Sequence, residues 1–285
     1  MMNKRWVLLG LTAVIALASG VLAGCGDDKK AVALTVKASE PSEGKYAFDL
    51  PATIDGGVVA LTLDNVGTVP HEIAMVQVKE GTTPEQVTED LLGNEGGPIP
   101  DYVLSVAGVG FAAPGKKATA TQKIPAGSYV YFCTFGEGEG VHYKNGMLGS
   151  VTVKGDKGKG DLPEADGTIK ATEYSFDVSG LKAGEHTYRF ENTGKELHHA
   201  QLFPINDGAT IDDVEAFFGT QGEPEGPPPV DFEGGTGTMV LAGGDVQTTT
   251  LDLKAGDYVM LCFINDKAGG PPHFTKGMLQ KVTVS

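Results

Sequence analysis

The chain of 285 residues carries 37 acidic against 22 basic residues, for a net charge of −15, and 40% of its residues are hydrophobic. That apolar share supports a packed core and excludes a disordered chain, while the acidic balance argues against nucleic acid as a partner, because phosphate binding needs basic surface. The 41 glycines and 16 prolines supply many turns and favour short strands over long helices.

The chain begins with Lys4 and Arg5, an apolar run from Trp6 to Val21, and then Leu22-Ala23-Gly24-Cys25. A basic start, an apolar middle and a small-residue cleavage site form the pattern of an export signal. The other reading is a retained membrane helix, but the run sits at the lower limit for a bilayer span. Leu22-Ala23-Gly24-Cys25 resembles the lipobox of bacterial lipoproteins. That resemblance implies a signal peptide over 1–24, lipidation of Cys25, and a polar tether over 25–31. It places the protein on the extracytoplasmic side of the cell membrane, periplasmic or at the cell surface.

Beyond the tether the sequence repeats. Asn65-Val-Gly-Thr-Val-Pro-His71 aligns with Asn192-Thr-Gly-Lys-Glu-Leu-His198, and Ala126-Gly-Ser-Tyr-Val-Tyr-Phe-Cys133 aligns with Ala255-Gly-Asp-Tyr-Val-Met-Leu-Cys262. His142-Tyr-Lys-Asn-Gly-Met147 matches His273-Phe-Thr-Lys-Gly-Met278. The spacing drifts only from 127 to 131 residues, through small loop insertions. A tandem repeat of this period predicts two domains: 32–154 and 167–285, with the charged, glycine-rich segment 155–166 as the linker.

In chain order the first copy predicts strands at Val58–Leu63, Glu72–Val78, Ser128–Cys133 and Ser150–Val153, each β-branched or aromatic and bounded by turn residues. Thr83-Pro84-Glu85-Gln86 predicts a helix start, with an N-cap threonine, a proline at the first helical position and a capping-box glutamine. The second copy predicts strands at Thr187–Phe190, Thr248–Leu253 and Tyr258–Cys262. It also predicts a helix opening at Thr210, with Val214, Phe217 and Phe218 on its apolar face. The expected fold class is all-β: two tandem Greek-key β-sandwiches, each with a short helical insertion.

The chemistry-bearing residues fall in the same order in both copies. They are His71, Cys133, His142 and Met147, then His198, Cys262, His273 and Met278. Two imidazoles and a thiolate in a plane, with a long axial methionine, are the donor set of a blue-copper electron-transfer site. The bland readings are buried filler cysteines or a Cys133–Cys262 disulfide. The disulfide is disfavoured because the cysteines hold equivalent places in separate domains. Met75, Met239 and Met260 read as core, His186 as solvent-facing, and His199 as a neighbour of a ligand, in the place Glu72 holds in the first copy.

Asn65-x-Gly-x-x-Pro-His71, together with Tyr129-x-Tyr-Phe-Cys133 and the His142…Met147 loop, resembles the plastocyanin-like cupredoxins. The resemblance covers nearly the whole chain beyond the tether, twice. It implies cupredoxin sandwiches that each hold one type 1 copper, up to two per chain. The strand and loop histidines and the cysteine would be ligands, with the methionine axial. The Cys-to-His loops depart from the plastocyanins: eight residues in the first copy and ten in the second. The type 1 site of copper nitrite reductases has a loop like the first.

No histidine flanks either cysteine and no His-x-His pair occurs. On that ground the chain is expected not to be an enzyme. The expected function is electron carriage between extracytoplasmic redox partners, such as a basic c-type cytochrome or a membrane oxidoreductase, to which the acidic surface suits it. The alternative is copper storage or delivery, or cupredoxin-like domains kept for structure with one functional site or none.

Overall fold

The turn-bounded apolar segments build sixteen strands in the computed structural model, which describes residues 30–94, 96–136, 138–220 and 226–285. The signal segment and Cys25 lie outside the described residues. Among the described residues, no helix is long and apolar enough to cross a membrane.

In the first half, β1 (Val32–Ser42), β2 (Lys45–Asp49), β3 (Thr53–Asn65) and β6 (Lys117–Ile124) form one layer in the order β2-β1-β3-β6. The strands β4 (His71–Val78), β5 (Val103–Ala112), β7 (Gly127–Phe132) and β8 (Leu148–Gly158) form the other, in the order β5-β4-β7-β8. The second half repeats the plan. One layer joins β9 (Gly167–Thr172), β10 (Ser175–Ser179), β11 (Gly184–Asn192) and β14 (Val246–Leu253) in the order β10-β9-β11-β14. The facing layer joins β12 (Gln201–Pro204), β13 (Thr236–Gly237), β15 (Gly256–Leu261) and β16 (Leu279–Val284) in the order β13-β12-β15-β16. Each half is therefore a β-sandwich, and the all-β expectation stands.

The halves share a sheet. Strand β6 pairs antiparallel with β14, with Thr121 opposite Thr248 and Ala120 opposite Thr249. Ala120 and Thr249 are equivalent under the repeat spacing of 129, so the joint lies on a local two-fold between the copies. Each sandwich thus hides an edge strand against the other, removing unpaired backbone groups from solvent.

Apolar side chains from both layers fill each sandwich. Leu61, Leu63, Ile73 and Tyr129 are buried in the first, together with Cys133 and Met147. Tyr188, Phe190, Leu202 and Met260 are buried in the second, with Cys262 and Met278. Burying each large apolar side chain is worth about 1.5–3 kcal/mol. Met75, Met239 and Met260 are core residues, as their apolar surroundings predict.

The helical insertions start as expected. At α1 (Pro84–Val87), Gln86 N–H donates to the Thr83 hydroxyl while Thr83 N–H donates to the Gln86 side chain. Past Val87 the helix widens into a looser turn over Thr88–Leu92. At α2 (Ile211–Gly219), Thr210 and Asp213 form the equivalent reciprocal cap. One difference concerns the segment read as a linker from Gly155. Strand β8 runs on through Gly158, which pairs in parallel with Gly57. A Cβ at Gly158 would lie 1.9 Å from the Val58 carbonyl oxygen, so glycine here is what lets the strand continue. Composition alone made these glycines look like linker.

Candidate metal centres

Each candidate site is assembled at one end of its sandwich from a loop and a histidine that opens β4 in the first half and, in the second, bridges to Leu241 three residues before β12. In the first half β4 opens with His71, Cys133 directly follows β7, and His142 begins a single helical turn that leads to Met147. The loop is folded back by backbone hydrogen bonds from Cys133 N–H to the Met147 carbonyl and from Tyr143 N–H to the Cys133 carbonyl. The second half repeats both contacts, with Cys262 N–H donating to the Met278 carbonyl and Phe274 N–H to the Cys262 carbonyl. The sequence placed each cysteine at the end of its strand; the ladders end one residue earlier, at Phe132 and Leu261.

The histidine and cysteine donors converge. His71 Nδ1 lies 3.1 Å from His142 Nδ1, and Cys133 Sγ lies 3.5 Å from His142 Nδ1. In the second site, His198 Nδ1 and His273 Nδ1 are 3.1 Å apart, and Cys262 Sγ is 3.9 and 3.6 Å from them. All six residues are buried, and within each triad every donor atom lies within 4.8 Å of the others. Such separations suit donors sharing one metal ion at about 2.0–2.3 Å. Met147 and Met278 are fully buried in the same cores. Two nitrogens, one sulfur and a neighbouring thioether form a soft, mixed donor set that fits copper.

Electrostatics prepare the triads for a cation. Burial pulls His142 and His198 down to about 4, with the partner histidine adding to the shift, and burial also lowers His71 and His273. All four are therefore neutral at pH 7, with lone pairs free to bind metal. Burial pushes the Cys133 thiol up to about 12 and Cys262 to about 11. The metal-free thiols stay protonated, so metal binding must expel a proton from each.

The outer ring nitrogens face carboxylates that the sequence did not point to. Glu40 lies 2.9 Å from His71 Nε2, and Asp266 lies 3.1 Å from His273 Nε2. An ionised carboxylate only accepts, so each Nε2 carries the proton and Nδ1 presents its lone pair to the site. Glu173, the counterpart of Glu40, sits 3.6 Å from His198 Nε2, which has no hydrogen-bond partner. Burial opposes ionisation of Glu173, but N–H groups of Glu196 and Lys195 prevail and hold it at about 2. Aromatic rings cover the loop histidines. Tyr46 stacks on His142 at 3.8 Å between centroids, and Tyr174 tilts against His273 at 5.1 Å. Glu40 and Glu173, like Tyr46 and Tyr174, hold equivalent places in the two copies, and that recurrence was the available signal.

The recurrent asparagines ahead of each strand histidine have a structural role. The Asn65 amide donates to the carbonyls of Val69 and Ala112 while its oxygen accepts from Gly67 N–H. Asn192 repeats this with Glu196, Leu241 and Gly194. Each buried amide thereby fixes the loop that delivers the histidine. His199 stays outside the triad, as expected, and its Nε2 accepts from Phe263 N–H at 2.9 Å. His186 is not fully solvent-facing. It is partly covered and 3.3 Å from Asp166.

No protein-family model matches the chain, and no curated protein matches it. Among solved structures, a multicopper oxidase is similar at 15% identity over 89% of this chain and 88% of its own, with a TM-score of 0.27. The auracyanin of Roseiflexus castenholzii is similar at 24% identity over 44% of this chain and 99% of its own, with a TM-score of 0.29. A copper nitrite reductase from Nitrosomonas europaea shows 15% identity over 90% of this chain and 94% of its own, with a TM-score of 0.26. Likeness at this level concerns the fold and adds no argument about chemistry. It does correct one expectation. Chains similar in fold include an oxidase and nitrite reductases, so repeated sandwiches of this kind do not exclude catalysis, and the expectation that this chain is not an enzyme is withdrawn.

Proposed function

We propose that the chain is a lipid-anchored extracytoplasmic copper protein, with one type 1 site in each of two cupredoxin-like domains, that carries single electrons between redox partners. The observation carrying this reading is the pair of buried His-Cys-His triads, each closed by a loop ending in a buried methionine. His71, Cys133, His142 and Met147 would hold the first copper; His198, Cys262, His273 and Met278 would hold the second. Bound copper supplies reversible one-electron chemistry.

The chain's own residues supply the rest. The apolar cores exclude water from the sulfur, and Glu40 and Asp266 keep the Nε2 protons in place so that Nδ1 remains a donor. The hydrogen-bonded loops hold both donor ends before metal arrives, which lowers the rearrangement needed for electron exchange. The net charge of −15 suits a basic partner such as a c-type cytochrome. The anchor rests on the Leu22-Ala23-Gly24-Cys25 pattern alone.

The purified mature protein is expected to take up two copper ions per chain, to turn strongly coloured with Cu(II), and to bleach reversibly on reduction. Colourless Cu(II) protein would overturn the type 1 reading. Copper bound without reversible cycling would move it to storage or delivery. For the anchor, Cys25→Ser should leave an unprocessed precursor that no longer incorporates labelled lipid. Equal labelling of wild type and variant would end the lipoprotein reading.

A further inference from the structure

We infer that Asp266 is the positioning residue of the second metal centre, fixing His273 from within the ten-residue loop and lowering the reduction potential of the copper held there. The inference rests on the copper reading of that site. Asp266 is the fourth residue after Cys262, in a loop whose length made the site unfamiliar by sequence.

In the structure the loop converges on this carboxylate. One oxygen of Asp266 lies 3.1 Å from His273 Nε2 and accepts from the Tyr174 hydroxyl at 2.7 Å. The other oxygen accepts from the Lys276 ammonium, which itself lies 4.8 Å from the centre of the Tyr174 ring. The flanks are also tied down. Asn265 bridges to Pro272, and Lys267 N–H donates to Glu196. The added loop length therefore encloses a four-residue cluster of Asp266, Tyr174, Lys276 and His273.

Two consequences follow from the charges. An imidazole that gives its Nε2–H to a carboxylate is a more basic and better oriented ligand, and loss of such a partner typically costs 10–100-fold in metal affinity. Oxidised copper also carries one more positive charge than reduced copper. A carboxylate on the ligand ring therefore favours the oxidised form, and the Lys276 ammonium beyond it disfavours that form. The carboxylate touches the ring while the ammonium binds its far oxygen, so the negative charge dominates.

The test uses the full mature chain carrying Cys133→Ser, so that only the second site reports. Adding Asp266→Asn should weaken copper retention at least tenfold in chelator competition. It should also shift the oxidised-to-reduced ratio about tenfold toward reduced at a fixed mediator potential, equivalent to about 59 mV upward for a one-electron couple. Lys276→Gln, a partly exposed side chain whose loss leaves the core intact, should shift the ratio the opposite way. A purely structural role would not produce shifts of opposite sign. Potentials unmoved in both variants, or moved in the same direction, would overturn the inference. A Cys133→Ser parent that takes up no coloured copper would break the copper reading of this site itself, and the inference with it, before either charge variant is made.

Discussion

The two metal centres share their donors and loop hydrogen bonds, yet the residue following the strand histidine is Glu72 in one half and His199 in the other. Both do the same backbone work. Glu72 accepts from Thr134 N–H and the Thr134 hydroxyl, and His199 accepts from Phe263 N–H, so the N–H directly after each cysteine is satisfied by an equivalent position. The comparison teaches that the fold needs an acceptor there and does not need a particular residue. Their electrostatics differ, however. Burial pushes Glu72 up, toward the neutral acid, and pulls His199 down to about 3, toward the neutral base. Burial thus disfavours the charged form beside the cysteine in both halves, from opposite directions.

The largest expected effect tests whether the halves are independent metal centres. Cys133→Ser should remove one copper and its part of the visible band while leaving the Cys262 site coloured, and Cys262→Ser should do the reverse. The ligand sets come from separate sandwiches that touch through backbone pairing at β6 and β14 and through loop contacts such as Ile99 N–H to the Lys267 carbonyl and the Asn265 amide to the Gly97 carbonyl, but they share no donor. Copper stoichiometry and visible absorption of the two single variants provide the measurement. Loss of both sites in either variant would break the picture of two parallel centres.

Much of this comparison was legible in the sequence, because metal donors are chosen for chemistry and recur at fixed spacing. The order His, Cys, His, Met located every member of both triads, and the apolar runs located β3, β4, β7 and β14. The anchoring carboxylates were not legible. Glu40 and Glu173 sit on a strand and a turn far from the histidines they face, and only the parallel pairing of β1 with β3 and of β9 with β11 brings them there. Strand β5 was hidden by its glycines, which weaken a strand reading. Gly108, paired with Ala74, adopts φ +139°, and a Cβ there would lie 2.0 Å from the Ile73 carbonyl oxygen. The glycine is thus required by the close approach of the β4 backbone. Strand β1 does alternate, with Val32, Leu34, Val36 and Ala38 turned inward and Ala33, Thr35 and Lys37 exposed, a pattern that ends at Ser39 and Glu40 and was passed over.

The smallest expected effect sharpens the Glu72–His199 contrast through pH, in the metal-free protein. The folded-state value of His199 is depressed to about 3 from an ordinary 6.5. Below pH 6.5 the unfolded chain binds a proton there that the folded chain refuses, so this position's stability is present above pH 6.5 and is lost as pH falls toward 3. For one fully buried group the slope approaches about 1.4 kcal/mol per pH unit. Glu72 has the opposite sign. Its folded value is raised above 4.5, so its contribution is present below pH 4.5 and is lost as pH rises through the folded value. His199→Gln, whose amide oxygen can still accept from Phe263 N–H, should therefore flatten the fall in Tm between pH 6.5 and pH 4. Glu72→Gln should leave Tm unchanged at pH 4 and raise it relative to wild type as pH rises through the folded value of Glu72, because burial disfavours the ionised carboxylate. The other buried histidines remain in both variants and supply a common acid slope against which these differences are read. Identical pH slopes in wild type and His199→Gln would show that the two positions are not electrostatic opposites and that only their hydrogen bonds to the cysteine loops matter.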